Sequence, residues 1–166
     1  MHRGMTVDLL IVAVVVTAVA LMVPSSVQTV RAAEPKPSEG WTLHIDAKLH
    51  FPGKPEMIAH HYCKPVAGGL TECQLYDSDA PDAHLVGVEV IVGPDVYKKL
   101  SKAEQGLWHY HKVEIPKVSA TLPDLSKEEA EKVVKNIEDT YGKIYLVWDP
   151  GKQALPTGRP TVTVLK

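Results

Sequence analysis

MIAHHYCKPVAGGLTECQLY, Met57 to Tyr76, sets the architecture of this chain. Two runs rich in apolar and β-prone residues, Met57–Cys63 and Leu70–Tyr76, flank a short segment ending in Gly68-Gly69. Paired glycines admit the positive φ that tight hairpin loops require. With Ala67-Gly68-Gly69 as a three-residue loop, the pairs 66/70, 65/71, 64/72 and 63/73 follow. Cys63 then lies directly opposite Cys73, compatible with a disulfide, with free thiols or a ligand thiolate as alternatives. Register also sorts the side chains, because successive strand residues point to opposite faces. His60 and Tyr62 share one face; His61 and Cys63 share the other. Adjacent imidazoles on a strand cannot serve one ion without distortion, so one of His60 and His61 is expected in any given site.

The flanking segments extend the sheet. From Trp41 to Phe51, Leu43, Ile45, Ala47, Leu49 and Phe51 alternate with Thr42, His44, Asp46, Lys48 and His50, which predicts a half-buried strand ended by Pro52-Gly53. After the turn Asp77–Asp82, Leu85–Val92 (LVGVEVIV) is apolar on both faces and reads as a central strand. Pro94–Trp108 reads as helical, with Ser101 and Glu104 forming a capping box for a second piece. Tyr110–Val118 reads as a strand broken at Pro116. Lys127–Tyr141 is the clearest helix. Ser126 caps it, Glu129 completes the box, Gly142 ends it, and Ala130, Val133, Val134 and Ile137 form its apolar stripe. Ile144–Trp148 and Thr161–Leu165 read as closing strands. The expectation is an α+β domain, a mainly antiparallel sheet of about five to seven strands with two helical segments packed on it.

The N-terminus reads differently. Leu9–Val23 is a run without a charge, broken by Pro24 and followed by the small-residue pattern Val30-Arg31-Ala32. A secretory leader over residues 1–32 is expected, with an uncleaved membrane anchor through residues 9–23 as the alternative. Residues 33–40 form a Pro-rich linker and 41–166 a single domain. Export would place the domain in a periplasmic or secreted space, where disulfides persist. The net charge of −2 gives no basic footprint for nucleic acid. The 8 His are the unusual count, since only His2 falls in the leader.

Three constellations carry chemistry. His60-His61-Tyr62-Cys63 offers one imidazole per face. Trp108-His109-Tyr110-His111, if extended, turns His109 and His111 the same way, a common presentation of two ligands to a metal. Glu89 lies inside an apolar strand, where a carboxylate must be paired, coordinated or solvated. Nucleotide-binding and nucleophile motifs (G-x-G-x-x-G, the P-loop, G-x-S-x-G, H-E-x-x-H, C-x-x-C) are absent from the sequence, and no nucleotide cofactor is implied.

Four segments in order, HHYC (His60–Cys63), ECQLYDSDAPDAHLVGVEVIV (Glu72–Val92), LWHYH (Leu107–His111) and YGKIYLVWDPG (Tyr141–Gly151), resemble the oil body-associated protein family, a domain of unknown function in plants, bacteria and fungi. The resemblance spans roughly Gly40 to Arg159. It implies a shared polar site at His60, His61, Cys63, Cys73, Glu89, His109 and His111. It also implies attachment to a lipid surface, as in the plant members. The leading expectation is an exported, non-catalytic binding protein. It would hold a transition metal ion, or a small ligand through one, with His109, His111, one of His60 and His61, and Glu89. The rivals are a lipid-surface structural protein and an enzyme with Glu89 as base and His109 or His111 as acid or ligand.

Overall fold

The hairpin register is the one the loop predicts: Val66 pairs with Leu70, Pro65 with Thr71, Lys64 with Glu72 and Cys63 with Cys73. Gly68 and Gly69 both adopt positive φ in the connecting turn. This computed structural model describes residues 36–165. The leader expected over residues 1–32 lies outside them.

Seven strands form one antiparallel sheet: β1 (Leu43–Ala47), β2 (Ala59–Val66), β3 (Leu70–Tyr76), β4 (Leu85–Val92), β5 (His109–Tyr110), β6 (Tyr141–Leu146) and β7 (Thr161–Thr163). Their order is β1-β2-β3-β4-β6-β5, with β7 also pairing β6. The strand read as central, β4, lies between β3 and β6. The helices are short: α1 (Pro94–Tyr97), α2 (Lys102–Gln105), α3 (His111–Glu114) and α4 (Lys127–Ile137). The expected α+β arrangement is therefore what the chain adopts. None of the described helices is long and apolar enough to cross a membrane.

One face of the sheet is buried. Cys63, Cys73, Leu75 and Ile144 are fully buried there with Phe51, and Ala47, Ile91 and Leu146 join them. Val134 and Ile137 of α4, with Ile115 and Val118 after α3, border a cavity against this inner face. Cys63 and Cys73 form a disulfide across β2 and β3. The outer face carries His44, Tyr62, Gln74, Val88 and Tyr145 in register.

Three elements depart from the pattern-based expectation. The first strand stops at Ala47 rather than Phe51, because Leu49 takes φ 67° and turns the chain. The run expected as a strand over Tyr110–Val118 instead becomes β5 and then α3, and the chain turns again at Ser119 with φ 53°. Helix α4 keeps its predicted capping box at Ser126 and Glu129 but ends at Ile137. Gly142 is consequently no helix terminator; it lies within β6, opposite both Ile91 and His109.

Candidate metal centre

Three strands, a loop and a helix start each deliver one polar group to the same inner-face pocket. Glu89 points inward from the middle of β4, opposite Cys73 on β3 and Ile144 on β6. His61 enters from β2, His109 from the two-residue β5, and His111 from the first turn of α3. His50 enters from the loop after β1. All five side chains are buried.

Glu89 is the hub. Its Oε1 lies 3.1 Å from His109 Nε2 and 3.3 Å from His111 Nε2. Its Oε2 lies 3.6 Å from His61 Nε2. His50 Nε2 is 3.1 Å from His61 Nε2. Donor atoms bound to one ion at about 2.0–2.2 Å and near-tetrahedral or right angles stand about 2.8–3.6 Å apart. Most of these contacts fall in that range.

In three of the four rings the far nitrogen has a fixed partner. His50 Nδ1 donates to Lys48 O at 2.7 Å. His61 Nδ1 donates to Ile45 O at 3.1 Å and Ala59 O at 3.0 Å. Thr140 gives its hydroxyl proton to Ile137 O, so its oxygen accepts from His111 Nδ1 at 2.7 Å. Such outer contacts orient imidazole ligands, and in His50 and His61 they leave the Nε2 lone pair facing inward. His109 Nδ1 is buried without a hydrogen-bond partner.

Burial alone would raise the Glu89 carboxyl. Hydrogen bonds and charge from His109 and His111 outweigh it and hold Glu89 well below the usual carboxylate range. Burial, reinforced by His61, pushes the His50 imidazole down to about 3. Burial also lowers His61. Both rings therefore stay neutral, with free lone pairs, at ordinary pH.

Close approach of β6 makes room for the cluster. A Cβ on Gly142 would overlap Glu89 Oε1 and stand 2.5 Å from His109 Nε2. Only glycine fits there.

Of the residues singled out from sequence, His61, Glu89, His109 and His111 meet in this pocket. His109 and His111 do so although they do not share a strand; the turn into α3 sets their rings 5.0 Å apart, edge to face. His60 goes to the outer face, as the parity of β2 requires. Its Nδ1 is 2.7 Å from Asp46 Oδ1, off the hydrogen-bond direction. The same aspartate oxygen lies 3.0 Å from His44 Nε2, and His44 Nδ1 lies 3.2 Å from Asp124 Oδ2. Cys63 and Cys73 lie beside the pocket as a disulfide, and Cys73 lines it. Sequence reasoning missed His50, Thr140 and Glu114. His50 was hidden by the alternation that Leu49 breaks, and Glu114 by an expected strand that is helical. Pro52-Gly53 signals a reversal but not that the strand ends five residues earlier.

The fold and site define a class: a single antiparallel sheet backed by short helices, with a buried carboxylate enclosed by imidazoles. The chain belongs to the family described as protein of unknown function (DUF1264), whose model matches residues 37–165. It is 34% identical over 134 residues to oil body-associated protein 2B of Arabidopsis thaliana, covering 78% of this chain and 53% of that protein. It is 40% identical over 103 residues to oil body-associated protein 2C of the same plant, covering 61% and 43% respectively. Oil body-associated protein 2B of Zea mays is 33% identical over 112 residues, covering 66% and 44%. The chain thus spans about half the length of the curated relatives it matches. The family expected from the four motifs is the family found. No solved structure matches the chain.

Proposed function

We propose that the domain is a non-catalytic binding protein that holds a transition metal ion through His109, His111, Glu89 and His61. One observation carries this reading. Imidazole Nε2 atoms, two of them (His61 and His111) tied at Nδ1 to fixed acceptors, close on a single buried carboxylate. A cation can take these Nε2 atoms and the carboxylate as ligands in place of the protons that otherwise link them. Imidazole and carboxylate donors suit zinc, iron, copper or nickel. Export through the leader belongs to the same proposal, and the Cys63–Cys73 disulfide accords with an oxidising space. Metal analysis of the full chain, purified without a His tag and reconstituted, tests it. Near-stoichiometric binding is expected, lost in Glu89→Ala. Less than about 0.2 equivalents after reconstitution would sink the reading, because a formed site of this donor set binds tightly.

A second reading is favoured by a separate observation. Val88, Tyr145 and Val162 occupy adjacent register positions across β4, β6 and β7 on the outer face. Val88 and Val162 are exposed, as are Leu85 and Val147. An apolar row of this kind, with relatives named for oil bodies, supports attachment to a lipid surface. Flotation with phospholipid-coated triglyceride droplets checks it. Val88→Glu combined with Val162→Glu should abolish co-flotation; a wild-type chain that never floats removes this reading.

A further inference from the structure

We propose that the inner pocket holds two metal ions bridged by the Glu89 carboxylate: one on Oε1 with His109 and His111, the other on Oε2 with His61 and His50. This rests on the metal-binding reading of the same pocket and specifies its nuclearity.

The donors divide into two triads, His50–His61–Glu89 and Glu89–His109–His111, each with ligand atoms within 4.8 Å of one another. Glu89 is the one residue they share, and it turns a different oxygen to each. Oε1 faces His109 and His111, and Oε2 faces His61. A carboxylate that offers one oxygen to each side is the standard bridge of paired sites, with ions about 3.5–4 Å apart.

The His50–His61 contact points the same way. Both rings give their Nδ1 protons to backbone carbonyls, so two lone pairs face each other across 3.1 Å. That contact is repulsive unless a cation or an added proton lies between or beside the two nitrogens. A single ion on Oε1 would leave it unrelieved.

Charge supplies an independent observation. Two dications beside one carboxylate would leave a large positive excess in a buried pocket. Glu114 lines the same cavity as all five donors, and it is buried. Its Oε2 has no hydrogen-bond partner, and its Oε1 reaches only Lys117 at 3.4 Å. A buried, unpartnered carboxylate beside the five donors supplies negative charge that would offset a second dication. The cavity, about 50 Å³, leaves space for solvent oxygen on the remaining coordination positions.

The test is a Cu²⁺ and Zn²⁺ titration of the tag-free full chain, read by native mass spectrometry and by the electron paramagnetic resonance of the copper form. Two ions per chain are expected. At two equivalents of Cu²⁺ the carboxylate bridge should couple the spins and suppress the isolated-copper signal. His50→Gln should bind one ion and restore that signal in full, with His50→Asn as the second variant if the first does not fold by circular dichroism. His60→Ala, which dismantles the outer-face cluster, should still bind two coupled ions. A wild type that binds one uncoupled ion overturns the two-ion site and leaves the metal-binding reading standing. A wild type that binds none removes both. Loss of the second ion in His60→Ala, with His50→Gln unaffected, also overturns the two-ion site by placing that ion on the outer face.

Discussion

On the inner face of the sheet four imidazoles surround one carboxylate, Glu89. On the outer face two carboxylates, Asp46 and Asp124, hold one buried imidazole, His44. Both clusters use the same residue types and both involve β2, through His61 and His60. They differ in what the imidazoles are anchored to. Inside, the Nδ1 atoms of His50 and His61 bond backbone carbonyls, which leaves their two Nε2 lone pairs facing each other across 3.1 Å. Outside, both nitrogens of His44 face carboxylates. The outer cluster is open to solvent. The Asp124 side chain, 64% exposed, keeps it in contact with water. The inner cluster is buried throughout and opposes the His50 and His61 lone pairs, which is why a cation is proposed there.

The contrast can be tested by removing its parts. Glu89→Ala should have the largest effect, because it strips the buried hub from its imidazole partners. A loss of about 3–5 kcal/mol is expected, measured by urea denaturation of the metal-free chain. Stability within 1 kcal/mol of wild type, roughly the scale of a surface substitution, would mean the hub is not an organising charge. Gly142→Ala should come next, at about 1–3 kcal/mol from overpacking, because its Cβ meets both Glu89 and His109. A Gly142→Ala/Glu89→Ala chain no less stable than Glu89→Ala alone would locate the clash.

Acid should act on the inner cluster. His50 takes up a proton near pH 6.5 when unfolded but only near about 3 in the fold. Between those values the unfolded chain binds more protons, so stability is fully present above pH 6.5 and falls as pH drops toward 3. Glu89, held well below its ordinary value, adds to the loss at the acidic end. Thermal melts in EDTA should shift down between about pH 7.5 and 4.5, and His50→Gln should flatten that slope. A melt independent of pH would contradict the neutral, buried state of His50. The smallest effect should be Asp124→Ala, under about 1 kcal/mol, since that carboxylate is largely solvated.

Much of this was written locally. The turn Ala67-Gly68-Gly69 dictated the hairpin register down to the cysteine pair. The apolar run of β4 announced both its central position and the anomaly of Glu89. Ser126 and Glu129 marked the start of α4. Parity along β2 separated His60 from His61 before any packing was known. These features rest on interactions within a few residues, or on strand alternation, and they need no knowledge of distant contacts.

Tertiary packing settled the rest. His50 belongs to the inner cluster because Leu49 takes a positive φ where Lys48 and Leu49 bond to Val118 and Pro55, contacts remote from the alternating pattern. Gly142 serves a neighbouring strand rather than its own helix, since β6 must approach Glu89 and His109 closely. His109 and His111 converge through a strand-to-helix turn instead of along a strand. Sequence patterning chose the strands and placed a carboxylate at the centre of the sheet, because local periodicity controls which face each side chain takes. Which imidazoles would enclose that carboxylate depended on long-range chain reversals, whose energies come from contacts that no short window of residues contains.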